Sequence, residues 1–190
     1  MQKLILASAS PQRKTLLSGL GVEFDVIPST VDEEACTVVD PADRSVTLAR
    51  LKAEDVASRN RGAFVIGCDT LVVDNKGERL EKPVDEKDAR RMLKLHAGTR
   101  STVHSGLCIV SPFGEMEEGI STSHVWFKEL SKQDLDWWIG TGQWKDRSGG
   151  FQIDGLGQLM IERIDGDWTS IVGLPVFLLG QLLKKSGFDL

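Results

Sequence analysis

The sequence is poor in the residues that hold many small sites together. Its 190 residues include three cysteines, and Cys36, Cys68 and Cys108 lie too far apart for the close ligand spacing of a zinc site. Their odd number and separation also exclude a disulfide framework, so they read as reduced and mostly buried thiols. His96, His104 and His124 form no short-spaced ligand pair, which argues against a histidine-based metal site. No apolar run approaches the ~20 residues of a membrane helix. The short stretch Leu4 to Ala7 behind Lys3 is also too brief for a secretory signal core. The cytoplasm is therefore the expected compartment, with no membrane partner. Neither a GxxxxGK[ST] phosphate loop nor a GxGxxG dinucleotide fingerprint occurs, which disfavours the commonest ATPase and dehydrogenase architectures. Repeats, low-complexity tracts and linkers are lacking too. A single domain over residues 1–190 is expected, since one core can serve a chain of this length.

Positive charge is in deficit overall. Lys and Arg number 23 against 28 Asp and Glu, a net charge of −5, which disfavours a nucleic-acid polymer as partner. The distribution is uneven, however. No acidic residue precedes Glu23, whereas Lys3, Arg13 and Lys14 lie in that opening segment, so a small anion would find positive potential there.

The apolar fraction of 41% and charged fraction of 27% are those of a globular chain. Lys3 to Ala7 reads as a buried strand, followed by a loop in which Ser10 caps a helix and Pro11 takes its first position. A second helix is expected from about Val46 to Arg59 behind Ser45, with Lys52 projecting from its middle. Phe64 to Cys68 and Leu71 to Val73 are two apolar runs interrupted by Asp69, and a turn follows at Asp74 to Gly77. Asp85 caps a third helix reaching Leu95. Strands are expected around Val103 to Val110 and Ile120 to Phe127, and Ser131 with Asp134 forms a capping pair for a further helix. A Gly-rich stretch from Gly149 to Gly157, a strand near Leu159 to Ile164 and a last helix opening at Pro175 complete the pattern. The fold class is mixed α/β.

Unsatisfied amides at a helix start carry partial positive charge, so the Ser8 to Arg13 turn is suited to phosphate oxygens. Arg13 can add a planar two-point grip, although an exposed arginine on a capped surface helix fits the same residues. Glu33 and Asp69 are carboxylates of the type that hold Mg²⁺ or Mn²⁺. A solvated acidic loop is the alternative for Glu33. For Asp69, an interior charge between apolar flanks is costly unless something pairs with it. Lys52 and Lys82 supply the further positive charge that a triphosphate and its leaving pyrophosphate need, provided the fold brings them near Arg13. Gly149-Gly150 and Gly155-Leu156-Gly157 serve turns and packing first, and a nucleotide-facing loop second.

Five segments carry a resemblance: Leu6-Ala7-Ser8-Ala9-Ser10-Pro11-Gln12-Arg13, Gly67-Cys68-Asp69-Thr70, Glu81-Lys82-Pro83, Gly155-Leu156-Gly157 and Val172-Gly173-Leu174-Pro175. With Val31-Asp32-Glu33 and Lys52-Ala53 between them, the sequence resembles the Maf family of nucleotide pyrophosphatases over nearly its whole length. The resemblance implies a mixed α/β fold of two lobes around a central cleft, related to the inosine-triphosphate pyrophosphatases, and often a homodimer. It implies hydrolysis of a nucleoside triphosphate to the monophosphate and diphosphate with a divalent cation, Mg²⁺, Mn²⁺ or Co²⁺, and a possible house-cleaning role. Asp69 takes the place of the proton acceptor, and Ser8, Arg13, Glu33, Lys52 and Lys82 line the nucleotide and metal site. Asp69 retains two candidate roles, base and metal ligand, the latter with Glu33.

Three positions that bear on base selection in the family fall on Gln12, Thr70 and Asp154. The dTTP/UTP type has arginine, threonine and glutamine there, and the 7-methyl-GTP type has tryptophan, glutamine and glutamate. Only Thr70 fits one type outright. Asp154 is acidic like the second type but shorter, and Gln12 offers no aromatic face to a cationic purine. Pyrimidine triphosphates, dTTP, UTP or modified nucleotides, are the expected substrates, with 7-methyl-GTP as the alternative. A nucleotide-binding regulator of septum formation is a reading from a different class.

Overall fold

Three apolar residues, Leu4–Leu6, form the buried first strand, β1. Ser10 and Pro11 then start helix α1, Pro11–Ser18, with the Ser10 hydroxyl accepting from the Arg13 amide. The computed structural model describes residues 2–189, and the remaining elements alternate in the way the sequence suggests, with informative differences.

Helix α2 spans Pro41–Arg59, five residues earlier than expected, because Asp40 caps it and Pro41 takes the first position. Ser45 is a buried residue inside the helix, its hydroxyl donating to the Ala42 carbonyl at 2.7 Å. The two apolar runs around Asp69 are one strand, β3, Phe64–Val73. A ladder of cross-strand bonds carries the carboxylate through without breaking the strand, since backbone pairing is indifferent to the side chain. Three short elements had no clear signal: β2, Asp25–Val26, β4, Arg79–Leu80, and α5, Trp168–Val172. The others are α3 (Glu86–His96), β5 (Arg100–Val110), β6 (Met116–Phe127), α4 (Lys132–Thr141), β7 (Ile161–Asp165) and α6 (Val176–Lys185). Ser131 and Asp134 form the expected reciprocal cap of α4.

The strands make one mixed sheet in the order β2-β1-β3-β5-β6-β7, with β4 added to the far end of β3. β1 runs parallel to β3 and pairs with it only from Phe64 to Ile66. β4 pairs antiparallel with Val72 and Val73. Along this edge of β3, Gly67 to Leu71 therefore has no strand beside it, while β5 pairs continuously on the other edge. A crevice opens at that gap.

Alternation along β1 and β3 divides the core. Leu4, Leu6, Phe64 and Ile66 pack with α6 and Leu17 on one face, and Ile5, Val65 and Ala49 pack on the face covered by α2. A third cluster, built on Trp138, Phe127, Phe151 and Leu93, fills the lobe of α3 and α4 at the far end of the long strands. No helix among the described residues is long and apolar enough to cross a membrane.

Candidate active site

The crevice is a cavity of about 1050 Å³ bordered by the end of β1, the start of α1, the middle of β3, α2 and the 146–154 segment. Its position follows from the sheet: β1 stops at Leu6 and the chain turns into α1, while β3 continues and presents Asp69 and Thr70 beyond the point of divergence. Crevices at the carboxyl ends of parallel strands are where α/β folds bind ligands.

Lys52 reaches this point because α2 lies unusually close to the sheet. A Cβ on Gly67 would stand 2.0 Å from the Ala49 carbonyl oxygen, and one on Gly106 would stand 2.4 Å from the Ser45 backbone. Gly106 is the cross-strand partner of Asp69. Glycine at both positions lets the helix backbone rest on the strands, and Lys52, far from projecting freely, is buried. Its Nζ lies 2.5 Å from Oδ1 of Asp69 and 2.8 Å from Oε1 of Glu33. One ammonium thus joins two carboxylates that the sequence separates widely.

Asp69 is itself buried, and its Oδ2 has no hydrogen-bond partner. A buried carboxylate oxygen left unpaired is rare, and this one is free to accept a further hydrogen bond. Partial burial works against ionisation of Glu33. The charge and hydrogen bond of Lys52, with Lys82 and Arg13 nearby, outweigh it and hold the carboxyl below its ordinary range. Arg13, Lys52 and Lys82 therefore act on one carboxylate, the convergence that sequence alone left open.

Arg13 is half-buried rather than exposed. Its Nε donates to the Gly173 carbonyl at 2.9 Å, Nη1 to the Ser8 hydroxyl at 3.1 Å and Nη2 to Thr70 Oγ1 at 3.2 Å. Thr70 is in turn 2.9 Å from the Ser105 hydroxyl. Thr70 is thus engaged in orienting Arg13, while Gln12 and Asp154 stand together where the cavity adjoins a smaller one of about 280 Å³. Leu16, Trp168 and Val172 are among the residues that line this annex.

Sequence reasoning missed several lining residues, Arg44, Arg147 and Gln152 among them. Arg44 is buried and spends its guanidinium on backbone carbonyls of Cys36, Val38 and Glu33, which fixes the loop carrying Glu33. Arg147 and Gln152 bracket the Gly149-Gly150 turn and face the cavity. A cation just ahead of paired glycines was the available signal for Arg147. The cysteines conform to expectation: Cys68 and Cys108 are buried, Cys36 is partly so, and all are free.

The signature of the Maf-like proteins matches residues 3–186. The chain belongs to this family. Among its relatives, the dTTP/UTP pyrophosphatase of Thermococcus kodakarensis is 43% identical over 188 residues, covering 98% of this chain and 97% of the relative. The dTTP/UTP pyrophosphatase of Pyrococcus furiosus is 39% identical over 186 residues, covering 97% and 95%. A HAM1 protein of Coxiella burnetii superposes with a TM-score of 0.52 at 10% identity, over 97% of this chain and 100% of that one. That likeness concerns the fold alone. It agrees with the mixed α/β architecture of this Maf-like protein.

Chemically, the Maf-like cavity combines fixed cations, a helix start and two carboxylates. Among the described residues no group of three or more His, Cys, Asp and Glu side chains is placed to hold a metal. Two carboxylates suffice for an ion that keeps waters and takes phosphate oxygens as its other ligands.

Proposed function

We propose that this Maf-like protein is a metal-dependent nucleoside triphosphate pyrophosphatase that converts dTTP, UTP or related nucleotides to the monophosphate and pyrophosphate. The observation that carries the reading is the Lys52 ammonium held between Glu33 and Asp69, with Oδ2 of Asp69 buried and unpaired. The names of the relatives, dTTP/UTP pyrophosphatases, support the substrate class.

In this reading Arg13, Lys52, Lys82 and the amides at the start of α1 neutralise and orient the phosphates. Glu33 and Asp69 would hold a divalent cation, Mg²⁺, Mn²⁺ or Co²⁺, which when bound offsets phosphate charge and polarises a phosphoryl oxygen. Asp69 accepts a proton from the attacking water. The new bond forms between that oxygen and the α-phosphorus, the α–β bridging bond breaks, and pyrophosphate leaves with the bond's electrons. The cytoplasm is the compartment proposed with this reading, and neither a membrane nor a nucleic-acid polymer is proposed as partner. A homodimer remains part of the proposal on family grounds.

A second reading has one observation in its favour. Trp168 lines the annex beside Gln12, so an aromatic side chain stands at that end, although position 12 lacks one, and an aromatic ring is what a cationic purine would stack on. The test therefore uses a panel of dTTP, UTP, CTP, GTP, ATP and 7-methyl-GTP, with each metal and with a chelator. Monophosphate plus pyrophosphate from a pyrimidine triphosphate, abolished by chelation, is expected. Release of orthophosphate alone would overturn the reaction, and a preference for 7-methyl-GTP would overturn the substrate.

A further inference from the structure

Gln12 and Asp154 border both the main cavity and the apolar annex, whereas Glu33, Lys52 and Asp69 border only the main cavity. A nucleotide has one polyanionic end and one flat apolar end edged with hydrogen-bonding groups. Its phosphates belong with the Lys52 cluster, and its base with the amides and the annex. The wall of the main cavity that meets Gln12 is organised around Arg147, which borders the main cavity and not the annex.

Arg147 donates from Nη1 to Oε1 of Gln12 at 3.0 Å and from Nε to Oε1 of Gln152 at 3.2 Å. Gln152 is fixed in turn through its Nε2, which donates to Oε1 of Gln143 at 3.1 Å and to the Asp154 carbonyl at 3.0 Å. Both acceptors of Arg147 are neutral amides, and among the described residues no carboxylate pairs with it. A half-buried guanidinium is thereby locked in orientation while most of its five N–H donors stay unclaimed. Its backbone is equally constrained. Asp146, at φ 58°, is the one non-glycine residue with positive φ among those described, a conformation that costs about 1–3 kcal/mol and persists where the surroundings enforce it. The Gly149 and Gly150 carbonyls just beyond are gripped from the core by His96 and Trp138, each at 2.9 Å.

We propose that Arg147 is a specificity-determining residue that donates to the carbonyl oxygen at C4 of a uracil or thymine base. The inference rests on the nucleotide reading above and extends it. With sugar and phosphates directed to the Lys52 end, the pyrimidine edge that reaches the far wall is the one opposite the glycosidic nitrogen, at N3 and C4. Arginine has donors and no acceptor, so it accepts an oxo group at C4 and opposes an amino group, as in cytosine. Asp154 borders the same wall, and no donor claims its carboxylate among the described residues. It accepts the N3–H that uracil has and cytosine lacks. A site built to hydrogen-bond one edge rejects the edge that leaves its buried polar groups unpaired.

The test is titration calorimetry of UMP and CMP, which differ at this edge, with the wild type, Arg147→Gln and Arg147→Lys. The wild type is expected to favour UMP by at least about tenfold. Arg147→Gln should weaken UMP about tenfold and leave CMP within about twofold, a loss in the range of one charge-assisted hydrogen bond. Arg147→Lys, which keeps the charge but not the planar fork, should not restore the preference. Equal weakening of both nucleotides, unaltered UMP affinity, full rescue by lysine, or a wild type without preference would each overturn the proposal. Because the readout is binding, it stands apart from turnover: a wild type that releases no pyrophosphate overturns the proposed reaction and leaves this comparison intact.

Discussion

The ammonium of Lys52 lies 2.5 Å from Oδ1 of Asp69, and both side chains are buried. The pair leaves Oδ2 as the free oxygen of the carboxylate, the atom available to a water or a metal. Asp69→Asn keeps the shape and removes the basicity. It should lower kcat by about two to four orders of magnitude, the usual contribution of a positioned general base, with little change in the Kd for UTP. A parallel loss of affinity and kcat would show that its share in holding the metal outweighs its share as base.

Arg13 spends three donors on Gly173, Ser8 and Thr70, so it is oriented before any substrate arrives. Arg13→Ala should lower kcat/KM for UTP by about one to two orders of magnitude, as loss of a charge-assisted hydrogen bond of about 1.5–3 kcal/mol predicts. Arg13→Lys should recover only part, because a point charge cannot reproduce the fork. An unaltered kcat/KM in the alanine variant would remove Arg13 from the site.

How much of this was legible beforehand depends on the range of the signal. Ser10-Pro11, Asp85 and the Ser131/Asp134 pair announce helix starts because capping is settled within four residues. Asp40-Pro41 carried the same kind of signal, and Ser45 drew attention from it. Asp69 stands out in the sequence as a charge between apolar runs, yet its strand continues because the pairing with β5 runs from Val65 to Val73, a fact of tertiary structure. Convergence of Arg13, Glu33, Lys52 and Asp69 could be expected only through family resemblance, since it depends on how closely α2 approaches β3. The Arg147 wall joins Gln12 to the 143–154 segment across the fold and left no local pattern beyond the paired glycines.

That close approach is itself testable. A Cβ at Gly67 would stand 2.0 Å from a backbone oxygen of α2, and no flexible side chain is there to yield. Gly67→Ala should destabilise the fold by about 3 kcal/mol or more, as overpacking of a rigid contact does. In protein that still folds, withdrawal of α2 should also reduce turnover by carrying Lys52 away from Asp69. Gly140 in α4 is the control: nothing lies within 4 Å of its added Cβ, so Gly140→Ala should stabilise by about 0.4–1 kcal/mol. Urea unfolding of both variants measures the contrast, and a Gly67→Ala protein within about 0.5 kcal/mol of wild type would contradict the packing argument.

His96 makes stability depend on mildly acidic pH. The ring is fully buried, stacks on Phe127 with centroids 4.5 Å apart, and bonds to Ser101 Oγ at 2.6 Å and to the Gly149 carbonyl at 2.9 Å. Burial, only partly offset by the Gly149 hydrogen bond and Asp74, lowers its pKa to about 4. The unfolded chain binds the proton near the ordinary value of about 6.5, so between these values the unfolded state holds more protons than the folded one. The folded-state pKa is depressed, and the associated stability is therefore present above about pH 6.5 and lost as pH falls towards 4. At 1.36 kcal/mol per unit the loss approaches about 3 kcal/mol. Unfolding free energies of wild type and His96→Gln, measured by urea titration from pH 7.5 to 4, separate this effect from the carboxylates, which titrate in both proteins. The advantage of the wild type at neutral pH should shrink by about 3 kcal/mol over that range; a difference that stays constant with pH would mean that the buried imidazole accepts its proton as readily as an exposed one.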